Sequence, residues 1–315
     1  VIGRHRHCIA LEDYSREEIL EVLDLATSMK EVLSRPLKKV PSLRGKSIVN
    51  LFFEASTRTR SSFEIAAKVL SADALNWTST GSSVTKGETL VDTARNLEAM
   101  RPDVIVIRHA AGGAPRLVAE RVACAVVSAG DGAHEHPTQG LLDCFTLRER
   151  LGTLEGKTVA IVGDISHSRV ARSNLHALPK LGARVRLCGP PTMMPLGVER
   201  LGATVHHDLR EAVEGADAVM MLRIQHERIG DPLIPNTREY SRYWGLNAKK
   251  AAEWLKEGCV ILHPGPINRG VELSPEVADG PRSVILDQVQ NGVAVRMAVL
   301  YLLAGGGPAE GEAKA

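Results

Sequence analysis

Ile48-Val-Asn-Leu-Phe-Phe53 runs directly into Glu54-Ala-Ser-Thr-Arg-Thr-Arg60. The apolar run has the length of a buried strand, and the pattern from about Arg58 to Leu70 reads as a helix. The junction between them is crowded with hydroxyls and guanidinium groups: Ser56, Thr57, Arg58, Thr59 and Arg60. The first N–H groups of a helix have no intrahelical partner and lie at the positive end of its dipole. Side chains and backbone can therefore converge on one phosphoryl anion at this junction. A second donor-rich stretch, His134-Glu-His136-Pro-Thr-Gln139, follows the apolar run 123–127 by a short loop.

The strand-to-helix passage repeats along the chain. Asp13-Tyr-Ser15-Arg-Glu-Glu18 carries the capping-box spacing, with Ser15 as cap and Glu18 three residues on, and it leads into Ile19, Leu20, Leu23, Ala26 and Met29. Strand-like runs at 47–53, 73–78, 103–108 and 123–127 alternate with helical patterns at 58–70, 87–100 and 114–121. A helix at 138–150 and a glycine-bounded turn at 152–156 lead to a second round. There the strand candidates are 157–163, 183–188, 203–206, 217–222 and 259–262, with helices near 168–181, 194–201, 208–214 and 247–256. Such alternation predicts parallel sheets covered by helices. A last helix over about 286–304 has Leu286, Val289, Val293, Val295, Val299 and Leu303 as its apolar members.

At 315 residues and 44% hydrophobic, the chain is long enough for two domains, and with 3% aromatics their cores must be aliphatic. No apolar run reaches membrane-spanning length, and the stretch after Val1 has no signal-like segment, so a cytoplasmic protein with no membrane partner is expected. The net charge is +2, without an aromatic-interleaved basic stripe, which speaks against nucleic acid. Cys8, Cys124, Cys144, Cys188 and Cys259 are scattered, with no CxxC spacing, and read as core thiols. Neither His134 with His136 nor His206 with His207 has a third ligand at metal-site spacing, so no metal and no cofactor is expected.

Gly163, after Lys157-Thr-Val-Ala-Ile-Val162, lacks both the GxGxxG and the GxxxxGK[ST] spacing, so dinucleotide binding and nucleoside triphosphate hydrolysis are disfavoured. The anion set is broader. Lys86, in Ser82-Ser-Val-Thr-Lys-Gly-Glu88, and Arg108, ending the run Val104-Ile-Val-Ile107, join Ser56 to Thr59, His136 and Gln139 near strand ends of one sheet. In the second half, Arg169, Arg223, Gln225 and Arg228 form another donor set suited to carboxylates. A phosphate site on one domain and a carboxylate site on the other point to transfer between two small anions.

Phe52-Phe-Glu-Ala-Ser-Thr-Arg-Thr-Arg60, Ser82-Ser-Val-Thr-Lys-Gly-Glu-Thr89, His136-Pro-Thr-Gln139 and His263-Pro-Gly-Pro-Ile-Asn-Arg269 together resemble the aspartate carbamoyltransferase catalytic chains of the carbamoyltransferase superfamily. The likeness runs from about Ile9 to Leu303 with the motifs in family order. Ser82 to Lys86 and the His263 segment favour aspartate over ornithine, for which a cysteine-containing HCLP segment would be expected.

The resemblance implies an α/β fold of two open parallel-sheet domains with flanking helices, as in aspartate and ornithine carbamoyltransferases, its C-terminal helix returning to the first domain. The carbamoyl phosphate-binding domain would be 1–135 plus 286–315 and the aspartate-binding domain 136–285. It also implies that Ser56, Thr57, Arg58, Thr59, Arg108, His136, Gln139, Gly265 and Pro266 hold carbamoyl phosphate, and that Lys86, Arg169, Arg223 and Gln225 hold aspartate. Arg58, Thr59, Lys86, Arg108 and His136 would carry catalysis, with His136 as a neutral donor to the carbonyl oxygen. Glu54 would contact Arg169 and Arg228 on domain closure. Ser82 and Lys86 would come from a neighbouring subunit of a homotrimer with shared sites, itself able to join regulatory chains or dihydroorotase. The reaction would serve de novo pyrimidine (UMP) synthesis. Two alternatives remain: a carbamoyltransferase for another amino acid, suggested by the stretch Gly230 to Arg238, and a catalytically silent organising subunit.

Overall fold

A computed structural model describes residues 5–78, 87–224 and 233–305. They divide into two compact units, Val1–Leu141 with Asn291–Ala315, and Leu142–Gln290. The first begins with α1 (Arg16–Ser34), whose capping box is complete: Glu18 N–H donates to Ser15 Oγ at 3.2 Å and Ser15 N–H to the Glu18 carboxylate at 2.8 Å. Then follow β1 (Ser47–Phe52), α2 (Thr57–Val69), β2 (Asp73–Thr78), α3 (Leu90–Glu98), β3 (Val104–His109), α4 (Ala114–Ala119) and β4 (Ala125–Asp131). The strands form one parallel sheet in the order β2-β1-β3-β4. All seven residues of β4 are buried, and so are five of six in both β1 and β3, as a sheet covered on both faces requires. Val49, Leu51, Ile105, Ile107 and Val126 pack with Ala94 of α3 and Val118 of α4. Each such aliphatic side chain contributes about 1.5–3 kcal/mol by leaving water.

The second unit is built around β5 (Thr158–Val162), β6 (Arg184–Cys188), β7 (Ala203–His206), β8 (Ala218–Met221) and β9 (Val260–Leu262), again all parallel, in the order β7-β6-β5-β8-β9. Its helices include the greater part of α5 (Pro137–Leu151), then α6 (Arg169–Lys180), α7 (Leu209–Val213), α8 (Thr237–Tyr243), α9 (Ala248–Trp254) and α10 (Pro275–Ala278). Gly163 has φ +134°, and a Cβ there would lie 2.9 Å from Leu222 Cβ; a side chain on Gly189 would run into the Gly163 carbonyl. These glycines are required by close backbone approach at the ends of β5, β6 and β8, not by a phosphate loop. A buried polar chain ties the helices to the end of β9: His263 N–H donates to Gln288 Oε1 at 2.9 Å, Gln288 Nε2 to Asp143 Oδ1 at 2.8 Å, and Asn174 Nδ2 to Asp143 Oδ2 at 2.8 Å. Deleting one member would strand buried partners, each costing about 1–3 kcal/mol.

The last helix, α11 (Ile285–Ala304), starts in the second unit and ends in the first. In the first unit its Arg296 guanidinium lies 5.2 Å from the centre of the Phe63 ring of α2. Its Tyr301 and Leu302 share a cleft with Leu20 and Leu25 of α1. The C-terminal helix thus returns to the first unit's helices. Its apolar face differs from the one read in the sequence, since Leu286 is 83% and Val289 50% exposed while Ala294, Val295, Met297, Ala298, Val299 and Leu300 are buried. A 3.6-residue period marks a stripe but not which stripe is covered.

Other differences are local. The expected helix at 194–201 is a pair of 3₁₀ turns, Pro191–Met193 and Val198–Leu201, in a segment with prolines at 190, 191 and 195 and glycines at 197 and 202. The run expected at 123–127 begins two residues later and continues to Asp131. The pattern 87–100 shortens to α3, capped by Thr89, whose side chain accepts the Asp92 N–H. Two short helices, α8 and α10, give no periodic signal at their lengths.

Candidate active site

In each sheet the chain leaves a central strand toward one side and later returns to build the other. For β2-β1-β3-β4 this reversal falls between β1 and β3, and for β7-β6-β5-β8-β9 between β5 and β8. In open parallel sheets the carboxyl ends of the strands at such a reversal form the ligand crevice, because the flanking connections diverge there. The candidate residues of each unit follow these ends.

In the first unit, Phe52 of β1 stands in register with Arg108 of β3, and His109 with Asp131 of β4. Beyond β1, Ser56 caps α2 without spending its hydroxyl on the cap, and its carbonyl accepts the Arg60 N–H at 3.1 Å. Thr57 and Arg58 are exposed at the first turn, while Thr59 is buried. Arg108 is buried, its guanidinium donating to the Ala129 carbonyl at 3.0 Å and to Glu54 at 2.8 Å. Beyond β4, His136 is buried at the head of α5, where its carbonyl accepts N–H bonds from Gln139 (2.9 Å) and Gly140 (3.1 Å). Two helix N-termini and one anchored guanidinium thus share a sheet edge. Their combined positive potential suits a small, highly charged anion.

The loop that delivers His136 is held by acids. Asp131 accepts N–H bonds from Gly113 at 2.7 Å and Glu135 at 3.1 Å and meets His134 Nδ1 at 3.2 Å. Glu135, fully buried, accepts from Leu11 N–H at 2.9 Å and Glu12 N–H at 3.2 Å. Gly132, with φ +49°, passes so close to residues 110–112 that a Cβ would come within 2.8 Å of Gly112 N. His134 therefore lies in a turn and His136 directly before a helix start. Among the described residues no group of histidine, cysteine or acidic side chains could hold a metal ion.

In the second unit, Arg169 is buried as the first residue of α6, behind the capping Ser168, whose hydroxyl accepts the Ala171 N–H at 3.1 Å. Arg223 is half-buried just past β8. Past β9, buried His263 leads into Pro264, Gly265 and Pro266. Met221 pairs with Val162, and Leu262 with Met220, so these three residues follow neighbouring strand ends. Two arginines that follow strands of one sheet suit an amino acid bearing carboxylates.

Ser82 and Lys86, Gln225 and Arg228 lie outside the described residues. Glu54, expected to face Arg169 and Arg228 on closure, is engaged here by Arg108. Residues 6–149 match the aspartate/ornithine carbamoyltransferase carbamoyl-P binding domain, and residues 155–303 match the aspartate/ornithine carbamoyltransferase Asp/Orn binding domain. The chain belongs to the aspartate/ornithine carbamoyltransferase family. A protein of Anaeromyxobacter sp. (strain K), named aspartate carbamoyltransferase catalytic subunit, is 87% identical over 99% of this chain and 100% of its own. One of the same name from Geobacter sulfurreducens is 64% identical over 96% of this chain and 97% of its own. Among solved structures, aspartate transcarbamoylase from Trypanosoma cruzi in complex with carbamoyl phosphate and aspartate superposes with TM-score 0.86 at 32% identity, covering 94% of each chain. Ornithine carbamoyltransferase from Thermus thermophilus reaches 0.84 at 30% identity, covering 95% of this chain and 99% of that one.

Within this carbamoyltransferase fold, several residues that shape the site escaped the sequence reading: Asp131, Glu135, Asp143 and Glu272. Each is a buried acid whose partners lie on other elements or across a turn, and an isolated acid in a sequence gives no sign of burial. Of the five thiols, Cys8, Cys144, Cys188 and Cys259 are buried. Burial pushes Cys144 up, and it pushes Cys188 and Cys8 up to about 12, far from thiolate at neutral pH.

Proposed function

We propose that this chain is an aspartate carbamoyltransferase, moving the carbamoyl group of carbamoyl phosphate to the amine of L-aspartate, with N-carbamoyl-L-aspartate and phosphate as products. The observation that carries the reading is the 87% identity, along almost the whole chain, with proteins named for that activity. The geometry supports a division of labour. The first unit's cationic sheet edge takes carbamoyl phosphate, and Arg169 and Arg223 of the second take the aspartate carboxylates, with Gln225 and Lys86 as further proposed ligands. The uncharged amine attacks the carbonyl carbon; the C–N bond forms, the C–O bond to phosphate breaks, and the amine proton leaves to a phosphate oxygen. His136 donates to the carbonyl oxygen as its charge grows, while Arg58, Thr59 and Arg108 stabilise the oxyanion and the departing phosphate. A donor placed at a developing oxyanion is worth about 3–4 kcal/mol.

The reading extends to assembly and place. The proposed assembly is a homotrimer with shared sites, in which a neighbour supplies Ser82 and Lys86. Relatives named as catalytic subunits support association with further chains. The proposed role is in cytoplasmic pyrimidine synthesis; no helix among the described residues is long and apolar enough to cross a membrane.

Colorimetric assay of carbamoyl transfer to aspartate, ornithine and water tests the activity, and a preference for ornithine would sink the acceptor assignment. The fold comparison leaves the acceptor to this assay, because aspartate and ornithine enzymes superpose almost equally well. Within it, Arg223→Ala is expected to raise the KM for aspartate about a hundredfold while phosphate affinity stays within about twofold, since only the carboxylate fork is lost. Equal weakening of both would refute the division of labour.

A further inference from the structure

Glu272 is fully buried, and its Oε1 accepts two hydrogen bonds, from Asn268 N–H at 2.6 Å and from His263 Nε2 at 3.2 Å. His263 is also buried, and its Nδ1 accepts the Gly265 N–H at 2.8 Å. A main-chain N–H can only donate, so Nδ1 is the acceptor and the ring proton sits on Nε2, aimed at the carboxylate. One oxygen therefore ties both ends of the segment 263–268. The second, Oε2, is buried without a hydrogen-bond partner among the described residues.

The tie also sets a direction. Gly265 has φ +64°, a conformation that glycine adopts without strain, and this turns its N–H onto the imidazole. Across the trans peptide the Pro264 carbonyl points opposite to that N–H, away from the ring. Pro264 and Pro266 have no N–H at all, and among the described residues no N–H donates to the carbonyls of Pro264, Gly265 or Pro266. Pro264, Gly265 and Pro266 therefore present carbonyl acceptors at the carboxyl end of β9, the one N–H among them being spent on His263. Such carbonyls suit a donor such as an amine.

We infer that Glu272, acting through His263, is a positioning residue that aims these carbonyls at the amino group of the acceptor amino acid. The inference rests on the carbamoyltransferase reading above. It assigns Glu272 to the acceptor step rather than to the binding of carbamoyl phosphate.

The test compares Glu272→Ala, Glu272→Gln and His263→Asn in the full-length protein, by aspartate kinetics and by separate titration with inorganic phosphate. Glu272→Ala is expected to raise the KM for aspartate about tenfold or more and to lower kcat, with phosphate affinity held within about twofold. Glu272→Gln recovers most of the loss, because its oxygen can still take both N–H groups. His263→Asn keeps an acceptor for Gly265 but cuts the tie, so it raises the aspartate KM and decides the matter if the alanine variant does not fold. Nitrogen-15 spectra of histidine-labelled protein, with His263 assigned by its substitution, should give the Nε2–H tautomer. An unchanged aspartate KM in folded Glu272→Ala, or in His263→Asn where that variant fails, overturns the inference; so does a parallel fall in phosphate affinity. A wild-type protein that carbamoylates no amino acid would overturn the activity reading instead, while the tautomer measurement would still report on the tie.

Discussion

Arg108→Ala should lower kcat/KM for carbamoyl phosphate by about a thousandfold or more, equivalent to roughly 4 kcal/mol of transition-state stabilisation. Arg108 is a buried guanidinium at the carboxyl end of β3, fixed by the Ala129 carbonyl and the Glu54 carboxylate, beside the strand that feeds the donor-rich start of α2. That anchoring holds the charge in place before substrate arrives, so little reorganisation is needed when negative charge develops. Its removal also leaves Glu54 without this partner, turning a neutralised corner of the pocket into an anionic one that repels phosphate. Arg108→Lys should recover little, since an ammonium cannot reproduce the two-directional fork. Steady-state kinetics and phosphate titration of both variants test this, and Arg108→Ala in an Glu54→Gln background separates the two contributions. Activity of Arg108→Ala within about tenfold of wild type would show that other donors carry the anion.

Mixing Arg58→Ala and Lys86→Ala proteins, each inactive alone, should restore activity once subunits exchange. If a neighbour supplies Lys86, one chain with intact Arg58 beside one with intact Lys86 completes a site, and random reassortment makes about one site in four complete. The recovery should therefore approach about a quarter of wild-type activity, appearing at the rate of exchange and not before it. Sedimentation equilibrium establishes the trimer, and mass-labelled subunits establish exchange. No recovery after verified exchange would place Lys86 and Arg58 on the same chain or remove Lys86 from the site.

Short-range patterns were enough for much of the architecture. The capping box at Ser15, the apolar runs of β1 and β3 and the helix starts at Thr57 and Pro137 depend on neighbours a few residues apart, and those interactions form wherever the chain goes. Single mistakes were of the same kind in reverse. The stretch 194–201 had helical spacing but too many prolines and glycines to sustain it, and α11 had an apolar stripe whose first turn faces solvent.

By itself, then, the sequence determined the alternating parallel architecture, the strand-to-helix junctions and the donor types that follow them, because hydrophobic period and capping chemistry are local. Tertiary structure alone decided which strands adjoin, and so that Arg108 lies beside the start of α2 and that Arg223 follows a strand next to β5. It also decided that Glu135 and Asp143 are buried and whom they serve, as Glu135 does the backbone of Leu11 and Asp143 the amide of Gln288. The reason is physical: a carboxylate's burial and partners depend on elements brought together from up to more than a hundred residues away, and no local pattern encodes that distance.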